Sequence, residues 1–144
     1  MKNRTSREIK KIAVIGAGTM GPGIIQAFAC GGYDVHVWEP VESNREKARA
    51  RIRAGLELAA SQESIRASQI DEINKSISFA GSLQEAAADA QFIMEAIVEN
   101  AAVKGSFYRE LLAYVEEDTI IASNTSALNI FEVVPAEIRR QMLI

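Results

Sequence analysis

A glycine-rich segment between two apolar stretches is the feature that most restricts the fold of this chain. Residues 16–21 read Gly-Ala-Gly-Thr-Met-Gly; the apolar run 10–15 (KKIAVI) precedes them and an apolar helical stretch, 24–29, follows. Glycines at this spacing let the chain turn sharply out of a strand, approach a ligand closely and pack the next helix against the sheet. The segment therefore predicts a phosphate-binding turn at the start of a parallel α/β sheet.

An acidic residue stands where a dinucleotide-binding unit requires one. Glu39 ends the alternating segment 33–38 (YDVHVW), 18 residues after Gly21. A carboxylate there can accept hydrogen bonds from both hydroxyls of an adenosine ribose and would repel a 2′-phosphate, which favours NAD over NADP. We expect Glu39 to bind the ribose, and the diphosphate to be bound by Gly16, Ala17, Gly18, Thr19, Met20 and Gly21. A glycine turn without a nucleotide and the related loops of FAD and S-adenosylmethionine domains remain as alternatives.

The rest of the chain alternates strand and helix patterns. Strands are predicted at 10–15, 33–38, 77–79, 91–98, 119–122 and 142–144, and helices at 24–29, 42–60, 64–74, 82–87, 101–116 and 128–134. This alternation predicts a Rossmann-type, doubly wound α/β fold over residues 10–144, with a mainly parallel sheet and helices on both faces. Residues 1–9 are expected to form a flexible leader. Because the chain stops inside an apolar element, we expect the native sequence to continue beyond it.

The helix predicted at 101–116 has an amphipathic pattern. Residues at helical spacing form its apolar stripe, and the stripe is expected to face the core. Its members are Val103, Phe107, Leu111, Leu112 and Val115.

Composition excludes several kinds of partner and site. The 144 residues carry a formal net charge of −3, without the basic excess of duplex-nucleic-acid binders, and no apolar run is long enough to cross a bilayer. The single cysteine, Cys30, and the single histidine, His36, provide neither a disulfide nor a zinc site. We therefore expect no metal, nucleic-acid or membrane partner and a reducing, cytoplasmic location. His36 lies in the middle of a predicted strand and is interpreted as structural.

Three separated motifs, KIAVIGAGTMGPGI, MEAIVEN and ASNTSAL, together resemble the NAD-binding domain of the L-3-hydroxyacyl-CoA dehydrogenases. The resemblance spans residues 10–144 and implies oxidation of an L-3-hydroxyacyl-CoA to the 3-ketoacyl-CoA in fatty acid metabolism, with hydride transfer to NAD. It implies that Glu99 and Lys104 lie near the nicotinamide ribose, that Ser126 is catalytic and bonds the reacting oxygen, and that Asn124 lines the same loop. Structural alternatives are a helix cap for Glu99, a solvent-facing position for Lys104, and turn or cap positions for Asn124 and Ser126.

The resemblance also implies parts that these residues do not contain. The catalytic histidine, its glutamate partner and the helical domain that forms a homodimer would follow residue 144, so the 144-residue chain alone is expected to be inactive. Gly55 and Gln62 stand where the family has a serine and a lysine that contact CoA. Two alternatives therefore stay open: a dehydrogenase of a non-CoA 3-hydroxy acid, such as gulonate or carnitine, and a non-catalytic NAD-binding module.

Overall fold

Six parallel strands form the centre of the structure, a computed structural model that describes residues 8–143. The strands are β1 (Lys11–Ile15), β2 (Asp34–Trp38), β3 (Ile77–Phe79), β4 (Phe92–Glu95), β5 (Ile120–Ser123) and β6 (Met142–Leu143). Their order in the sheet is β3-β2-β1-β4-β5-β6, and every neighbouring pair is parallel. The chain therefore reverses direction across the sheet between β1 and β4, which opens a crevice at the carboxyl ends of these two strands.

Helices cover both faces of the sheet. They are α1 (Gly21–Cys30), α2 (Glu42–Ser61), α3 (Ile70–Lys75), α4 (Leu83–Ala87), α5 (Ala101–Leu111) and α6 (Ile130–Val133), with two short 3₁₀ segments at Ala67–Gln69 and Ala136–Gln141. Successive side chains of β1 point to opposite faces. Ile12 and Val14 join the core that includes residues of α1 and α2, while Ala13 and Ile15 join the core that includes residues of α4 and α5. The predicted doubly wound fold is confirmed.

Several predicted element boundaries are wrong by a few residues. The helix predicted from residue 24 begins at Gly21, because Pro22 fits the first helical turn, where no intrahelical N–H bond is required. The strand predicted at 91–98 ends at Glu95, where the chain turns at the edge of the sheet. The helix predicted at 101–116 ends at Leu111, and the segment predicted helical from residue 64 is an α-helix only from Ile70.

The inward face of α5 differs from the prediction. Val103 is 45% exposed, whereas Lys104 is 1% exposed and both Tyr108 and Leu111 are fully buried. Phe107 is also buried, so the inward stripe follows helical spacing but begins one residue later than predicted. The apolar pattern did not indicate this register because one of the buried positions is a lysine.

Within residues 8–143, no helix combines the length and the apolar character that a membrane span requires. Most of the predicted leader, and Ile144 at the end of the last predicted strand, lie outside the described residues.

Candidate functional site

The register of the sheet brings four strand ends to one edge. Ile15 at the end of β1 pairs with Trp38 on β2 and with Glu95 on β4, and Glu95 pairs with Ser123 on β5. Segments that leave the carboxyl ends of parallel strands share the same edge, where open α/β sheets bind their ligands. These segments carry all the site residues predicted from the sequence: residues 16–21, Glu39, Glu99, Lys104, Asn124 and Ser126.

The glycines of the β1–α1 loop have different roles. Gly16 has φ +99°, and a Cβ on it would lie 2.5 Å from the carbonyl oxygen of Ala96, so packing and backbone conformation both require glycine. A Cβ on Gly18 would meet no atom within 4 Å. The absent side chain at Gly18 therefore leaves the loop backbone open to a ligand. Within residues 8–143, the backbone amides of residues 18–20 donate no hydrogen bond to other backbone groups, which suits a phosphate acceptor.

Glu39 lies between the glycine loop and the crevice. Its Oε2 accepts a hydrogen bond of 2.9 Å from the amide of Ala17, and its Oε1 accepts one of 3.0 Å from the amide of Val41. The residue is only 6% exposed, so these bonds fix the orientation of the carboxylate. Each oxygen of an ionised carboxylate can accept about two hydrogen bonds, which leaves capacity on Glu39 for the hydroxyls of a ribose.

A cavity of about 420 Å³ adjoins Glu39 and the loop. Gly16 and Gly18 line one side of it, residues 38–41 and 96–98 line others, and Val103 and Phe107 of α5 complete its apolar wall. This volume is typical of small-molecule sites, which combine apolar walls with a few polar groups. The cavity therefore suits a flat base next to a ribose that Glu39 binds.

A buried cluster at the same edge was not predicted. The Glu95 cluster consists of Glu95, Lys104, Tyr108 and Ser123, all of them buried. The Lys104 Nζ donates to both carboxylate oxygens of Glu95 at 2.9 Å. The hydroxyls of Tyr108 and Ser123 donate to Glu95 Oε2 at 3.1 and 2.6 Å, and the amide of Ile97 donates to Oε1 at 2.9 Å. Burial raises the pKa of Tyr108, as does the charge of Glu95, so this hydroxyl stays a donor.

Lys104 and Glu99 meet at the boundary between this cluster and solvent. The Lys104 Nζ also lies 3.1 Å from Glu99 Oε2, so this ammonium forms ion pairs with two carboxylates. The structure thus places Lys104 inside the protein and not on a solvent-facing position. Glu95 could have been noticed in the sequence because it is an acidic residue in an otherwise apolar strand, within the motif MEAIVEN.

Glu99 is held at the edge with its side chain 39% exposed. It accepts a hydrogen bond from the Thr125 hydroxyl, and this bond, together with the Lys104 ammonium, lowers the pKa of Glu99. A carboxyl group with a lowered folded-state pKa stabilises the fold above its unfolded-state pKa of about 4.3, and this stabilisation is lost as pH falls through the folded value. Asn100 and not Glu99 caps α5, since its side chain accepts from the Val103 amide at 3.0 Å.

The loop after β5 has a fixed backbone and two exposed polar side chains. The amide of Asn124 donates to the carbonyl oxygen of Glu95 at 2.8 Å, and the amide of Thr125 donates to Ser123 Oγ at 3.2 Å. The side chains of Asn124 and Ser126 are exposed, and neither makes a hydrogen bond within residues 8–143. Both are therefore accessible to a ligand at this edge.

His36 lies apart from these residues. It sits in the middle of β2, opposite Ala13 of β1, and its Nε2 is 3.1 Å from Asp34 Oδ2. In the part of the chain that the structure describes, no group of three or more acidic, histidine or cysteine side chains could hold a metal ion.

Comparison with known proteins finds a matching family and several relatives. The sequence matches the family "3-hydroxyacyl-CoA dehydrogenase, NAD binding domain" over residues 11–143. It is 36% identical over 132 residues to a 3-hydroxybutyryl-CoA dehydrogenase of Mycobacterium tuberculosis, covering 91% of this chain and 46% of the relative. It is 33% identical to the human mitochondrial hydroxyacyl-coenzyme A dehydrogenase, covering 92% of this chain and 44% of the relative.

A solved structure shows the same architecture. The crystal structure of FadB2 from M. tuberculosis superposes with a TM-score of 0.87 at 33% identity, covering 95% of this chain and 48% of that protein. The chain thus spans about half the length of the curated relatives it matches. With a family match over nearly all described residues, the chain belongs to the NAD-binding domains of the 3-hydroxyacyl-CoA dehydrogenases.

Proposed function

We propose that the protein containing this NAD-binding domain oxidises an L-3-hydroxyacyl-CoA to the 3-ketoacyl-CoA in fatty acid metabolism. The observation that carries the proposal is the Glu39 carboxylate, held by the amides of Ala17 and Val41 beside an apolar cavity. This arrangement fits the adenosine half of NAD, and the open surface at Gly18 fits the diphosphate. When bound, NAD supplies the acceptor for the substrate's hydride.

The roles of the other residues of the edge are those that the family resemblance implies, and their position and exposure are compatible with them. The loop 16–21, including the exposed Thr19 and Met20, would bind the diphosphate together with the N-terminus of α1, which has no acidic residue in its first turn. Glu99 would accept from the nicotinamide ribose. Ser126 would hold the reacting oxygen of the substrate, and Asn124 would line the same surface.

A Glu39→Gln variant is expected to bind NAD about tenfold more weakly, because one charged acceptor of the ribose hydroxyls is lost. Its preference for NAD over NADP is also expected to narrow, because the negative charge that repels a 2′-phosphate is removed. Isothermal titration of both dinucleotides measures these effects. The ratio of the NAD and NADP affinities distinguishes a loss of ribose recognition from general damage to the loop. An unchanged ratio would contradict the assignment of Glu39.

The packing of α2 gives a reason to test substrates other than CoA thioesters. A Cβ on Gly55 would lie 2.0 Å from Oε1 of Gln26, so the Gln26 amide fills the space beside this position. The family resemblance implies a CoA-contacting serine here, and this chain has neither that hydroxyl nor the room for it without movement of Gln26. A dehydrogenase of a free 3-hydroxy acid is therefore the second candidate.

We expect the whole protein to reduce NAD with L-3-hydroxybutyryl-CoA and not with free 3-hydroxybutyrate, L-gulonate or L-carnitine, as measured by NADH absorbance. The 144-residue chain alone is the control and is expected to show no turnover, since its one histidine lies on β2 away from Ser126. Turnover of the free acids alone would favour the second candidate.

The proposal includes a cytoplasmic, homodimeric whole protein that binds an acyl-CoA. The homodimer is supported by the family resemblance, and the reducing compartment by a single cysteine, Cys30, which is exposed and free.

A further inference from the structure

We propose that Glu95 is a positioning residue, which holds the carboxylate of Glu99 in the orientation that binds the ribose at the nicotinamide end of the cofactor. This inference rests on the proposed function, because it assumes that Glu99 contacts that ribose. Glu95 itself is fully buried and cannot reach a ligand, so it acts through its partners.

The first connection runs through Lys104. Both carboxylate oxygens of Glu95 lie 2.9 Å from the Lys104 Nζ, and they hold this ammonium in ion-pair contact with Glu99 Oε2, 3.1 Å away. Lys104 is 1% exposed, so its ammonium is shielded from a ligand at this edge. Its role in this proposal is therefore to orient Glu99, in place of the direct cofactor contact that the family resemblance implies.

The second connection runs through Ser123 and Thr125. The Ser123 hydroxyl donates to Glu95 Oε2 at 2.6 Å and accepts from the Thr125 amide at 3.2 Å. The Thr125 hydroxyl in turn donates to Oε1 of Glu99. The two connections therefore end on different oxygens of Glu99, Oε2 from Lys104 and Oε1 from Thr125. A carboxylate held at both oxygens keeps one plane, and its remaining lone pairs keep one direction.

The connections join separate elements of the fold. Glu95 ends β4, Lys104 belongs to α5, and Ser123 ends β5. Glu99, with its side chain 39% exposed, lies in the segment between β4 and α5. An ion pair needed only for stability would require no more than Glu95 and Lys104. The contacts of Lys104 and Thr125 with Glu99 connect this ion pair to an exposed carboxylate.

The test is the binding of NAD and of ADP to four variants of the 144-residue chain by isothermal titration. The variants are Glu95→Gln, Glu99→Gln, the double variant and Glu117→Gln. The last is a charge-matched control at an exposed residue in the segment that leads into the opposite end of β5. Binding of ADP depends on the glycine loop and Glu39 alone, whereas binding of NAD also depends on contacts with the nicotinamide half.

We expect Glu95→Gln to lower the affinity for NAD about tenfold and to leave the affinity for ADP within about twofold of the wild-type value. The Glu117→Gln control should leave both affinities unchanged. The double variant should bind NAD no more weakly than Glu99→Gln, because Glu95 acts only through Glu99. Equal losses for NAD and ADP would reduce Glu95 to a structural role and overturn the inference. The inference would also be overturned if the losses of NAD affinity in the two single variants added in the double variant, or if Glu95→Gln lost no NAD affinity.

The wild-type chain separates this inference from the proposed function. If the wild-type chain binds ADP and binds NAD no more tightly, the inference is wrong, whereas the proposed adenosine site is still supported. If it binds neither nucleotide, the proposed function is wrong and the inference falls with it.

Discussion

A Gly18→Ala variant is expected to bind NAD about tenfold to a hundredfold more weakly than the wild-type chain, because a methyl group would stand where the diphosphate approaches the loop. Its stability should not fall. The added Cβ meets no protein atom within 4 Å, and Gly18 does not have a positive φ. Replacing a glycine in a compatible conformation stabilises by about 0.4–1 kcal/mol through the unfolded state. Calorimetry for affinity and urea unfolding for stability measure the two effects.

Gly16→Ala is the comparison variant for stability, which we expect to fall at this position. At φ +99° and 2.5 Å from the carbonyl oxygen of Ala96, an added Cβ strains the backbone and overlaps a neighbouring strand end. The strained backbone conformation alone costs roughly 1–3 kcal/mol of unfolding free energy. A Gly18→Ala chain with undiminished NAD affinity would show that the diphosphate does not lie over this part of the loop.

Lys104→Met is expected to destabilise the domain by about 3–5 kcal/mol, because it leaves the buried charge of Glu95 without its counterion. Glu95 is fully buried, and Lys104 supplies two of its five hydrogen bonds. Unfolding in urea, monitored by circular dichroism, measures the loss. Lys47→Met, at an exposed position of α2, is the control and should change stability by less than about 0.5 kcal/mol.

A Glu95→Gln/Lys104→Met double variant should recover much of that loss. It removes both buried charges while the side-chain oxygen of glutamine still accepts from the hydroxyls of Tyr108 and Ser123. A single Lys104→Met variant that loses less than about 1 kcal/mol would mean that the Glu95 charge is solvated or neutralised in another way.

The parts of the candidate site that the sequence can predict depend on neighbours along the chain. The glycine loop needs only its three glycines between a strand and a helix, and Glu39 needs only its place at the end of the next strand. The exposed Asn124 and Ser126 came from a family resemblance carried by a short motif. Sequence spacing alone assigned no role to Lys104 beyond that of a solvent-facing helix residue.

Other features could not be predicted because their contacts are distant in the sequence. Glu95 meets Tyr108 and Ser123 at separations of 13 and 28 residues. Those contacts require the β4–β5 register and the rotation of α5 about its axis. The same rotation exposed Val103 and buried Lys104, opposite to the expectation from apolar spacing.

The order of strands and helices, the glycine loop and the acidic residue after β2 were determined by the amino-acid sequence alone, because local patterns of side-chain size, polarity and backbone freedom specify them. Only the tertiary structure decided which charges are buried together. Glu95 and Lys104 share a buried site because sheet register and helix packing bring them within hydrogen-bond distance. Desolvation then makes each charge depend on the other, and no property of either residue along the chain indicates that partnership.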